Sequence, residues 1–180
     1  MTTLAWMAVI LGPVIMLLAL PCIFRPSAVR EGLRSFPRSV FFARVLSAIA
    51  IVWVASIVLQ APLGRFEWLK PYLYVAAPVL YFLIIFFMDE LLAPRALGGL
   101  LLLAANPVLK AARWHESDGR LVMTVLAYVW VVAGITLVLS PYYFRRGADW
   151  ATRTDGRCRG LAWIRLVIGL AILGLGLFVY

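Results

Sequence analysis

The chain has 180 residues, of which 64% are hydrophobic and 14% charged, and its formal net charge is +9. With a mean hydropathy of +0.98, it has too little polar side chain to cover a water-soluble globule of this size, so lipid must solvate most of its surface. A folded nucleic-acid-reading surface is also excluded, because the basic residues sit in short loops between apolar runs.

Six apolar runs follow in chain order. The first covers residues 4–24. No basic segment precedes it and it is longer than a typical signal-peptide core, so it is expected to remain as a span. Residues 41–63, 71–88, 121–140 and 161–180 are comparable, each of 18 to 23 residues. At about 1.5 Å per residue each can cross roughly 30 Å of hydrocarbon. All five should be helical, since a lone segment in lipid satisfies its backbone hydrogen bonds only as a helix, and none alternates like a barrel strand.

The remaining run, residues 96–109, has only 14 residues. On length alone it could lie in the interface, giving a five-helix protein; extended to Ala112 with Lys110 snorkelling, it reaches the lower limit for a span. The 17 basic residues decide between the two. If 96–112 stays on one face, they divide nine against eight between the membrane faces. If it spans, loops 25–44 and 145–165 share a face and the division becomes twelve against five, as the positive-inside rule favours. The expected architecture is therefore an all-α polytopic bundle of six transmembrane helices. Both termini should be periplasmic, in a bacterial inner membrane, a source suggested by the fifteen Arg against two Lys.

In this reading the chain is one membrane domain, residues 1–180, built of three helical hairpins: 4–63, 71–112 and 121–180. The second helix of each opens on a similar pattern: Arg44 with Ala48-Ile49, Arg95 with Gly99-Leu100, Arg165 with Gly169-Leu170. An Arg can snorkel to phosphate while the small residue a turn deeper admits a neighbouring helix. The first and third hairpins share more, Leu18-Ala19-Leu20-Pro21 with Phe24-Arg25 against Leu139-Ser140-Pro141 with Phe144-Arg145, which reads as internal duplication. In the third hairpin, Gly134, Pro141, Arg145-Arg146, Arg165, Gly169-Leu170 and Gly174 resemble an uncharacterised family of small two-helix bacterial inner-membrane proteins. That resemblance covers residues 121–180 and implies a bacterial membrane hairpin with no known chemistry.

Motifs for catalysis are missing. The single histidine, His115, lies in Trp114-His115-Glu116-Ser117-Asp118, so bis-histidine haem ligation or a His-rich metal cage cannot be built within the chain. Cys22 and Cys158 read as free thiols on the cytoplasmic side, where a stable disulfide is disfavoured. No phosphate loop, nucleophile elbow or metalloprotease pattern occurs, and neither cofactor nor metal is expected.

The candidate polar positions are Asp89, Glu90, Arg95 and Asn106. The acidic pair follows an apolar run, where an ionisable group is either a turn at the interface or a cavity site. Asn106-Pro107 could break a helix and free carbonyls for a cation, or simply end the helix. Arg44, Arg95, Arg165, Arg145 and Arg146 are expected headgroup or topology anchors. Ala48, Gly98, Gly99, Gly169 and Gly174 are expected packing positions. Arg30, Arg34 and Arg38, and Arg153, Arg157 and Arg159, have spacings that suit short interfacial helices meeting lipid headgroups or a partner.

The function expected is that of a non-catalytic accessory or scaffold subunit in a membrane complex, with lipid and other membrane subunits or further copies as partners. The alternative is a small channel or transporter using Asp89, Glu90 and the Asn106-Pro107 break. A lipid-acting membrane enzyme is a third class, which the absence of a catalytic motif disfavours.

Overall fold

The structure, a computed structural model, describes residues 2–87 and 91–180. Among these residues it is all α, with eight α-helices and no strand. Six helices are long and apolar enough to cross a membrane: α1 (Thr3–Phe24), α3 (Val40–Gln60), α4 (Lys70–Phe87, preceded by a 3₁₀ segment, Gly64–Leu69), α5 (Leu92–Arg113), α6 (Arg120–Leu139) and α8 (Asp155–Phe178). The other two, α2 (Pro26–Ser35) and α7 (Tyr142–Ala151), are short amphipathic helices in the two basic loops.

Local chemistry explains the boundaries. Thr2, Ser39 and Thr154 cap α1, α3 and α8, each hydroxyl accepting a backbone N–H of the first turn, and Asp155 adds an acid at the positive end of α8. Pro26 opens α2, where a missing N–H costs nothing. Gly64, at φ 54°, makes the left-handed turn between α3 and α4 that an L side chain would resist.

The short sixth run lies in a helix long and apolar enough to cross a membrane. α5 has 22 residues because the helix begins at Leu92, with Pro94 in its first turn, and it continues through Asn106-Pro107. The helix break considered from sequence is therefore not present. A single proline removes one backbone bond near the end of an otherwise well-packed helix, and packing holds the rest.

The closest packing pairs helices from different expected hairpins, α1 with α8 and α5 with α6, rather than α1 with α3, α4 with α5 or α6 with α8. α1 lies antiparallel along α8, and α5 along α6. Leu4, Ala8, Ala105, Val108, Ala112, Met123, Ala127 and Ile172 from these four helices form the main core. α3 packs against the start of α5 through Ala43, Leu92 and Ala93, with Phe36 and Ile84 beside them. α4 rests chiefly on α3 and contributes no buried residue.

Small residues set this pairing. A Cβ on Gly12 would lie 2.8 Å from the Gly169 carbonyl oxygen, and one on Gly98 equally close to that of Gly134. Both crossings thus bring backbones into contact, which gives van der Waals packing between helices whose lipid-facing surfaces have no hydrophobic reason to associate.

Candidate functional site

One end of the bundle carries two of the three ion pairs among the described residues. α2 follows α1 directly, and α7 joins α6 to α8, so both short helices lie at the same end. Arg30 on α2 donates to Asp155 Oδ1 at the start of α8 at 2.7 Å, and Arg34 Nε lies 3.5 Å from Asp149 Oδ1 on α7. The Phe36 and Phe144 rings meet with centroids 5.2 Å apart. These contacts put both Arg-rich loops on one face, the arrangement that a sixth span requires.

Arg38 and Arg145 line the cleft between α2 and α7 together with Arg34. Arg146 is exposed on the same helix as Arg145. Asp89 and Glu90 lie outside the described residues.

Arg95, in the first turn of α5, lines a groove of about 300 Å³ with Ser47, Ala50, Ile84, Gly99 and Val138. Its Nε is buried and has no hydrogen-bond partner among the described residues. Arg44 is exposed, and its carbonyl accepts a bond from the Tyr81 hydroxyl at 3.4 Å. Arg165 is exposed on α8. Asn106 is exposed on the outside of α5, away from the Arg95 groove.

The packing positions divide. Gly98 and Gly169 sit in the two tight crossings, whereas a Cβ on Gly99 or Gly174 would meet nothing within 4 Å. Ala48 faces an apolar groove between α3 and α4. Gly12, Gly134 and Gly176 complete the crossings, and the signal for them was in the sequence as small residues at helical spacing: Ala5, Ala8, Gly12 and Ala19 on α1.

The other end is closed by a hydrogen-bonded latch. The Ser117 backbone N–H donates to His115 Nδ1 at 3.2 Å, which leaves Nε2 as the protonated nitrogen facing the Thr2 hydroxyl at 3.3 Å. The Thr2 hydroxyl also donates to the Tyr180 carbonyl, and the Tyr180 hydroxyl donates to the Gly119 carbonyl. His115 thus joins both chain ends to the α5–α6 loop as a structural group. Burial pushes the Tyr180 phenol above its usual range.

Cys22 and Cys158, 136 positions apart in the chain, are both buried in one cluster with Ala19 and Ala162 at the α1–α8 interface, as free thiols. Among the described residues no group of three or more His, Cys, Asp or Glu is placed to hold a metal. Comparison with protein-family models, curated proteins and solved structures finds no match.

Proposed function

We propose that this multi-pass membrane protein is a non-catalytic accessory or scaffold subunit of a complex in the bacterial inner membrane. In that reading α2 and α7 lie in the cytoplasm and both termini in the periplasm, the orientation supported by twelve basic residues at the α2–α7 end against five at the other. The observation that carries the role is the weak seating of α4. It carries no charged residue after Lys70 and buries no residue, while the groove it forms with α3, about 460 Å³, is lined by Ala48, Ala55, Ala77 and Pro78 among others. Small residues along a groove suit the close approach of another helix.

Photo-crosslinking residues placed at Ala55 and Ala77, in protein expressed in its native membrane, test the role. Both positions should trap the same stoichiometric membrane partner, and the same probe at Val167, exposed on α8, should not. Equal trapping at all three positions, or none at the groove, overturns the reading.

A second reading, a small channel or transporter, draws on Arg95. Arg95, in the first turn of α5, lines a groove, and its buried Nε has no partner among the described residues. A reconstituted ion flux abolished by Arg95→Gln in otherwise folded protein would replace the scaffold reading with this one.

A further inference from the structure

The cleft between α2 and α7 encloses about 290 Å³. Three arginines line it, Arg34, Arg38 and Arg145, and among the described residues one acid, Asp149. Its walls include Leu33, Pro37 and, before α5, Leu91; Asp89 and Glu90, next to Leu91 in the chain, lie outside the described residues. The arginines come from two loops far apart in sequence and converge only because α2 and α7 pack together. Arg30, in the same loop as Arg34 and Arg38, is instead paired with Asp155.

We propose that this cavity binds the phosphate headgroup of an anionic phospholipid through Arg34, Arg38 and Arg145, the phosphate displacing Asp149 as the partner of Arg34. Guanidinium groups pair N–H donors with phosphate oxygens in a planar fork, and a phosphate supplies the acceptors that one carboxylate cannot. The Arg34–Asp149 contact, at 3.5 Å with both side chains more than half exposed, is loose enough to be exchanged. Depth selects a lipid over a free anion. The cleft lies where α1 and α6 end and α3 and α8 begin, so a headgroup arrives at this level with its acyl chains beside the exposed helices, as basic pockets at the cytoplasmic ends of helices hold anionic lipids.

The test uses the full chain purified in neutral detergent, with lipid binding read by native mass spectrometry and thermal unfolding. Phosphatidylglycerol should bind and raise the unfolding temperature, and phosphatidylcholine should not. The double variant R38Q/R145Q should weaken phosphatidylglycerol binding by about tenfold or more, the scale of one charge-assisted hydrogen bond. R153Q/R159Q, which removes the same charge outside the cleft, should bind as the parent does. Asp149→Asn should bind more tightly, since it removes the competing carboxylate, and this arm stands even if R38Q/R145Q fails to fold. Equal losses in the two double variants, no gain in Asp149→Asn, or no preference for phosphatidylglycerol in the parent would overturn the site. An equal thermal shift with inorganic phosphate alone would overturn the lipid assignment.

Discussion

Gly98 and Gly99 are neighbours in sequence with opposite tolerances. A Cβ at Gly98 would sit 2.8 Å from the Gly134 carbonyl oxygen, and one at Gly99 would meet nothing within 4 Å. Gly98→Ala therefore has to push two backbones apart, an overpacking that costs about 1–3 kcal/mol. Gly99→Ala should be neutral or stabilise the helix by up to about 1 kcal/mol, since alanine loses less backbone entropy than glycine. Thermal unfolding of the two variants in the same detergent compares them, and equal behaviour would place the α5–α6 crossing elsewhere. Both glycines were expected at packing positions, and of the two it is Gly98 whose backbone meets α6. A stripe of small residues is legible, but which of two adjacent glycines faces the partner depends on the rotation of α5 about its axis.

At the scale of elements, the pairing of α1 with α8 brings the first and last spans together, and Cys22 with Cys158 reports it directly. Iodine oxidation of the detergent-solubilised protein should join them within one chain, losing two thiol protons and two electrons to the oxidant. A non-reducing peptide map should show the Cys22–Cys158 link, and linkage only between different molecules would contradict antiparallel α1–α8 packing. Charge counting assigned both thiols to the same side of the membrane but offered no reason to put them in contact. α1 is apolar around its whole circumference, so hydropathy marks no preferred face, and only its small-residue stripe distinguishes one side. The spacing of Arg30, Arg34 and Arg38 suggested a short interfacial helix; α2 is a short amphipathic helix that carries Arg30 and Arg34, while Arg38 lies beyond it in a 3₁₀ turn. Arg153, Arg157 and Arg159 lie instead in the turn after α7 and the first turns of α8, because Thr154 and Asp155 start the last span early.

For the whole molecule, the topology follows from where the loops converge. Cysteines placed at Glu116 and Gly147 in a cysteine-free background should lie on opposite faces. Both positions are exposed, whereas Thr152, in the same loop as Gly147, is 3% exposed and would resist labelling on either side. In intact cells whose outer membrane is permeable to the reagent, an impermeant maleimide should label the first and leave the second. Labelling of Gly147→Cys alone would invert the orientation, and labelling of both would remove a span.

Helical class and five of the six apolar runs were legible in the sequence itself, because they rest on sums of single-residue transfer free energies over about twenty neighbours and on backbone groups that lipid leaves no choice but to pair internally; the sixth was settled by charge counting. The sharing of one face by the two Arg-rich loops was legible for a similar reason: charge counts add along the chain and need no contacts. Partner choice among the helices, the Gly98–Gly134 and Gly12–Gly169 crossings, the meeting of Cys22 with Cys158 and the gathering of Arg34, Arg38 and Arg145 around one cleft were decided only by the tertiary structure. Helices that are apolar on every side compete for neighbours through shape, and shape is a property of two surfaces at once, which no single stretch of sequence contains.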